Sequence, residues 1–365
     1  MALSVGIVGL PNVGKSTLFN ALTEQSVPAE NYPFCTIDPT VGVVAVPDPR
    51  LGLLSALSKS AKTIPAVVEF TDIAGLVAGA SEGEGLGNKF LAHIRETDAI
   101  CEVVRIFDDE NVVHVAGKID PLNDIEVIEL ELALADLQTV EKRRETLSRD
   151  VKRGDEIAAM LDGACQKLAA ALKEGKSARG VELNEKEREA SKDLHLLTAK
   201  PVMYCLNKQT GGKNIDDAND VRWQKLKAFF DEQKAVWVTL DAGAEKMVGD
   251  SPAEERAAMR EELGVSGDGL GALTAAAYRL LDRISYFTTG EDETRAWTIR
   301  HSATAPEAGA AIHNDFQQRF IRAEVVACAD LLAAGSYAAA RERAQVRTEG
   351  REYVVKDGDV IEFKV

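Results

Sequence analysis

Gly9-Leu10-Pro11-Asn12-Val13-Gly14-Lys15-Ser16-Thr17 is the stretch that most narrows what this chain can become. It fits G-x-x-x-x-G-K-[ST], with the apolar run 3–8 just before it and a helical pattern from Ser16 to Leu22 just after. Strand, glycine loop and helix in that order predict a P-loop rather than a glycine turn that binds nothing. The glycines let the backbone curl until successive N–H groups converge on an anion, and the start of the helix adds its dipole. Asn12, Val13, Gly14, Lys15, Ser16 and Thr17 are therefore the candidate nucleotide-binding residues. Lys15 would bring positive charge to the β- and γ-phosphates, and the Ser16 hydroxyl would ligate Mg²⁺.

A second element supports the first. Val67-Val68-Glu69-Phe70-Thr71-Asp72-Ile73-Ala74-Gly75 is an apolar strand ending in D-x-x-G. In a P-loop fold an acid in the place of Asp72 holds Mg²⁺, directly or through water, and the Gly75 N–H reaches the γ-phosphate. D-x-x-G alone is a weak signal; closing a strand downstream of a P-loop, it is a strong one. Thr36, between the two motifs, stands where a switch-loop threonine caps Mg²⁺. Leu76 occupies the place of the glutamine that orients the attacking water in Ras-like enzymes, and leucine has neither donor nor acceptor for that task. Gly79, Gly83, Gly85 and Gly87 follow, predicting a loop that orders on phosphate and loosens afterwards.

The rest of the chain reads as three regions. Strand-like runs at 41–46, 66–72, 99–107, 202–206 and 235–240 alternate with helical patterns. Several are apolar throughout, as in a parallel sheet covered on both faces, so the core is α/β and doubly wound. From Ile125 to about Leu197 the pattern is helical. Leu130, Leu134, Leu137, Val140, Leu147 and Val151 form one stripe; Ile157, Leu161, Ala164, Leu168 and Leu172 form a second beyond the Arg153-Gly154-Asp155 break. That predicts an antiparallel helical hairpin or short coiled coil inserted in the α/β domain, with 175–189 as a mobile turn. Strands at 297–300, 353–355 and 360–365, a turn at 356–359 and a helix over 305–318 predict a small α+β module at the end. The expected domains are 1–124 with 200–282, the insertion 125–199, and 283–365.

Composition excludes several classes. The chain has 365 residues, enough for two or three domains of about 150. Its 45% hydrophobic and 28% charged residues suit a soluble globular protein. A formal charge of −16 argues against coating nucleic acid or anionic membrane by bulk charge. Five cysteines without a C-x-x-C pair argue against a disulfide framework or structural zinc. His93, His195, His301 and His313 have no metal-ligand spacing. No basic leader and no run of about 18 apolar residues is present, so a cytoplasmic protein without membrane or DNA partners is expected. Arg341, Arg343, Arg347 and Arg351 are interleaved with Glu342, Glu349 and Glu352, the pattern of a solvated face.

Together Gly9–Thr17, Asn31–Gly42, Asp72–Gly85 and Asp357–Ile361 resemble the Obg-like ATPase (YchF) family of translation-factor-class P-loop proteins. The resemblance covers almost the whole chain. It implies a P-loop (Obg-type G) domain with a helical coiled-coil insertion and a C-terminal TGS domain of β-grasp fold. It also implies ATP hydrolysis by a GTPase-like site, and association with ribosomes, at the large subunit or its RNA. A hydrophobic residue after D-x-x-G, here Leu76, is a trait of that family. A loop histidine beyond switch II assists catalysis there and matches His114; without the resemblance, Val113-His114-Val115 is equally a partly buried strand histidine. Asn12 matches the asparagine that helps bind K⁺ in cation-activated relatives, so K⁺ joins Mg²⁺ as a candidate cofactor.

The base-reading motif departs from that family. GTPases use N-K-x-D and the family resembled uses N-x-x-E; here the strand ends in Asn207-Lys208-Gln209-Thr210. Thr210 cannot offer guanine a bidentate carboxylate, and losing such recognition costs a large factor in preference. Asn207 would offer its amide to adenine and the Lys208 stem would pack on the ring. The expectation is ATP preferred over GTP. Two alternatives stay open: a GTPase of the same fold, and a nucleotide-gated ribosome-binding module with incidental turnover.

Overall fold

The computed structural model describes residues 3–24, 40–73, 86–109, 119–216, 220–252, 254–265 and 267–365. In chain order it begins β1 (Leu3–Val8), α1 (Lys15–Glu24), β2 (Val41–Ala45), α2 (Pro49–Ser58), β3 (Lys62–Ile64), β4 (Val67–Asp72), α3 (Leu86–Glu96), β5 (Ala99–Arg105) and β6 (Phe107–Asp108). Then come α4 (Pro121–Lys152), α5 (Glu156–Lys173), α6 (Glu185–Ser191), β7 (Val202–Asn207), β8 (Lys213–Asn214), α7 (Val221–Gln233), β9 (Val236–Leu240), α8 (Ala242–Asp250), α9 (Arg256–Leu263) and α10 (Gly269–Leu280). The chain ends with β10 (Arg283–Thr289), β11 (Glu293–Arg300), α11 (Ala305–Ile312), α12 (Asn314–Gln318), β12 (Arg322–Ala327), α13 (Cys328–Ala334), α14 (Tyr337–Glu342), β13 (Arg347–Glu349) and β14 (Asp359–Lys364).

The first sheet runs β2-β4-β1-β5-β7-β9. Its strands are parallel except β2, which pairs antiparallel with β4 at one edge. Near-continuous apolar sequence is explained by burial on both sides. Cys101, Val103, Met203 and Cys205 join one hydrophobic cluster, while Val104, Ile106, Tyr204 and Leu206 join another with Leu226 and Phe230 of α7.

The hairpin is α4 against α5. Arg144 meets Asp162 at 2.9 Å and Glu141 meets Lys173 at 2.9 Å, so the two helices run in opposite directions. Gly154, at φ 84°, makes the turn, and Asp155 caps α5 by accepting from the Ile157 and Ala158 amides. The stripe departs from the expectation at its first residues on each helix. Leu130 is 50% exposed and Ile157 72%, whereas Ile128, Leu132, Ala133, Ala135, Val140 and Leu147 are buried. From Leu137 onward the seam follows the predicted stripe, with Val140, Leu147, Leu161, Leu168 and Leu172 buried between the helices, and buried Ala133, Ala158 and Ala169 complete it. Residues 175–189 are also more ordered than a mobile turn. Asn184 and Glu187 form a capping box that starts α6, and Lys167 holds Glu187 at 2.8 Å. Buried Asp136 of α4 accepts from the Leu197 and Thr198 amides, each at 2.8 Å, and so fixes the hairpin's root to the segment returning to β7.

The second sheet runs β13-β12-β14-β10-β11-β3. The helix expected over 305–318 is two helices, interrupted where His313 is extended. The strand expected at 353–355 is a single bridge, Val354 to Thr304. β3 comes from the first region yet pairs parallel with β11. Arg50 of α2 reaches Asp357 at 2.7 Å and lies over Phe287 at 5.2 Å. The segment joining β2 to β4 is therefore the seat of the second sheet.

Candidate functional site

The glycine loop leaves β1 by a route that only glycine tolerates. A Cβ on Gly9 would lie 2.6 Å from the Val103 carbonyl oxygen. Asn12 (φ 64°) and Gly14 (φ 102°) adopt left-handed conformations, the geometry that turns successive amides toward one point. α1 then opens with Leu18 N–H donating to the Gly14 carbonyl at 2.9 Å. Val13 is buried, Thr17 half-buried and Ser16 exposed.

Lys15 is 8% exposed, and its Nζ donates to the Leu10 carbonyl at 2.7 Å. Burial pushes the ammonium pKa down, and the charge of Asp72 opposes that. Asp72 ends β4 in register with Ile7 of β1. Burial pushes its carboxyl pKa up, and Lys15 opposes that in turn. Each charge thus stabilises the other where water is scarce. Ser16 and Asp72 offer hard oxygen donors, which suit Mg²⁺. Among the described residues no group of three His, Cys, Asp or Glu could hold a metal ion by itself. Two hard oxygen donors leave coordination places for phosphate and water around a Mg²⁺ ion.

Asn207, at the end of β7, is buried and tied to main chain at both ends. Its Nδ2 donates to the Val13 carbonyl at 2.9 Å and its Oδ1 accepts from Ala242 N at 3.0 Å. The amide that sequence reasoning offers to adenine instead braces the glycine loop against the β9–α8 junction. A Cβ on Gly14 would fall 2.3 Å from that Nδ2, which is the structural reason for glycine there. Lys208 Nζ is held by Asp216 at 3.1 Å. Asp241, not singled out by sequence, accepts from Thr210 N at 2.6 Å and from Ala244 N at 3.0 Å. The available signal was an acid directly between a strand and a helix, a common cap. Thr36, Gly75, Leu76 and His114 lie outside the described residues.

A second feature is a groove of about 870 Å³ between the hairpin, the lower end of the first sheet and the second sheet. Arg179, Arg188, Lys192, His195, Lys200 and Arg300 line it, and Asp98 is the acid among its lining residues. Arg179 is paired with Glu129 and Lys192 with Glu189, so Arg188, Lys200 and Arg300 carry most of the groove's positive charge. At the C-terminus Arg341 pairs with Glu324 and Arg347 with Glu349 and Asp359, which offsets the charge of two of its four arginines, while Arg343 and Arg351 donate to backbone carbonyls.

Residues 4–139 match a family described as 50S ribosome-binding GTPase, and residues 283–365 match YchF-GTPase_C, described as a protein of unknown function (DUF933). The chain is 50% identical over 364 residues to "Ribosome-binding ATPase YchF" of Bacillus subtilis strain 168, covering 100% of this chain and 99% of that one. It is 41% identical to "Obg-like ATPase 1" of Caenorhabditis elegans, covering 99% and 92%. The solved structure of the Schizosaccharomyces pombe YchF GTPase superposes with a TM-score of 0.84 at 37% identity, over 99% of this chain and 97% of that one. These names differ in the nucleotide they state.

Proposed function

This chain belongs to the YchF/Obg-like ATPase family, and from that premise we propose that it is a Mg²⁺-dependent ATPase and conformational switch that prefers ATP to GTP and associates with ribosomes. One observation carries the reading: a buried Lys15 ammonium and a half-buried Asp72 carboxylate flank an amide nest at the start of α1. The nest and Lys15 bind the triphosphate tail and favour charge developing on the leaving phosphate oxygens. Ser16, Asp72 and Thr36 would hold Mg²⁺, which would supply positive charge to offset that of the triphosphate. Gly75 and His114 are assigned the γ-phosphate amide and the positioning of water, because Leu76 has no polar atom for it. Lys208 packs beside the base, and Asn207 supports the loop from behind. Asn12 assists K⁺; equal turnover in K⁺ and Na⁺ buffers would remove that component.

The proposed units are 1–124 with 200–282, 125–199 and 283–365. The insertion and the C-terminal unit each hold a cluster of their own, around Leu161 and Leu168 and around Tyr286 and Ile361, which supports this division, while the main cluster also draws in Leu132, Phe287 and Val360. The relatives' names and the basic groove support a ribosomal partner, at the large subunit or its RNA. Among the described residues no helix is long and apolar enough to cross a membrane. Competition decides the nucleotide: unlabelled ATP should displace a labelled ATP analogue at lower concentration than GTP does. Tighter displacement by GTP would make this a GTPase of the same fold.

A further inference from the structure

A purine-reading N-K-x-D motif places an acid where this chain has Thr210, yet a carboxylate from the β9–α8 junction reaches the backbone of that residue. Asp241 Oδ2 is 2.6 Å from the Thr210 amide nitrogen, and its Oδ1 is 3.0 Å from that of Ala244. The next residue, Ala242, donates its amide to Asn207, whose other end holds the Val13 carbonyl in the glycine loop. One side chain and one peptide link therefore join Asp241 to the phosphate site. Two amides on different elements fix the carboxylate, which is half-buried.

We propose that Asp241 is the purine-discriminating residue, its carboxylate accepting a hydrogen bond from the exocyclic 6-amino group of adenine in place of the acid missing at 210. The proposal rests on the nucleotide-binding reading above. Adenine carries a donor at position 6; guanine carries a carbonyl oxygen there, which a carboxylate repels. Each oxygen of Asp241 already accepts one backbone bond. A bidentate grip on guanine would need a second bond at both oxygens, whereas one amino group needs it at one. The exchange also explains threonine at 210: two acids side by side would raise each other's pKa and lose charge.

The test compares Kd values of the full chain, with Mg²⁺, for ATP, GTP and purine riboside triphosphate, which has hydrogen at position 6. Wild type should prefer ATP over purine riboside triphosphate by about tenfold or more, as a charge-assisted hydrogen bond implies. Asp241→Ala should bring that ratio to about one. Asp241→Asn keeps the oxygen that caps α8 and puts a donor in place of the oxygen that accepts from Thr210, so it gives up that tie and should raise the GTP-to-ATP affinity ratio by about tenfold. The inference is overturned if wild type does not distinguish ATP from purine riboside triphosphate. It is also overturned if both variants weaken all three nucleotides by one common factor, the result of a capping role alone. If wild type takes up no triphosphate, the nucleotide-binding reading fails, and this assignment with it.

Discussion

Asn207 does more with one side chain than any neighbour of the glycine loop, since its amide joins Val13 to Ala242. Asn207→Ala would leave a buried carbonyl and a buried N–H unpaired, at about 1–3 kcal/mol for each unsatisfied group. Lower thermal stability together with weaker ATP binding is expected, read by melting with and without Mg-ATP. A variant with native stability and unchanged affinity would contradict the bracing role. The contrast with Lys15 shows what sequence can tell at this scale. Lys15 was legible because a P-loop is local: strand, loop and helix are contiguous. The partners of Asn207 were not, because Val13 lies 194 positions away along the chain. Asp241 was missed for the same reason, since its value depends on a contact with Thr210 on another loop.

At the scale of elements, β5 carries an unusual load. Glu102 is fully buried, and its Oε1 has no hydrogen-bond partner among the described residues. Burial raises its carboxyl pKa well above the ordinary 4.5; Glu129 adds to the rise and Arg179 of the hairpin opposes it. A carboxyl raised in the folded state binds its proton more tightly there than in the unfolded chain. It therefore destabilises increasingly as pH climbs above 4.5 toward the folded value. Glu102→Gln should raise the melting temperature at pH 8, with the gain shrinking toward pH 4.5. A gain independent of pH would contradict this account. Sequence marked β5 as an apolar strand and did not single out the acid, because period-two alternation alone does not say what covers each face. The hairpin shows the same limit at its root: most of its seam was legible from periodicity, as at Val140, Leu147, Leu161 and Leu168, but Leu130 and Leu134 are exposed while Ala133 is buried.

Over the whole molecule, β2 and β4 flank a segment that also seats the second sheet, through β3 and the Arg50–Asp357 pair. Sequence gave no sign of that strand exchange, since three residues at 62–64 carry no periodicity to read. The groove was equally hidden, because its basic residues come from positions as distant as Arg179 and Arg300. Reversing two of them, Arg188→Glu with Lys192→Glu, should reduce co-sedimentation with ribosomes and flatten its salt dependence, while ATP affinity stays as in wild type. Unchanged co-sedimentation would remove the groove from the ribosomal contact. The proposed ATPase function depends on the triphosphate pocket assigned to Gly9–Thr17 and Asp72. Calorimetric titration of ATP into the purified chain, with Mg²⁺ and with EDTA, tests it most directly beside Lys15→Ala. Saturable binding in Mg²⁺ that weakens strongly in EDTA and in the variant is the predicted result; no uptake by wild type, or equal uptake by Lys15→Ala, would contradict the account.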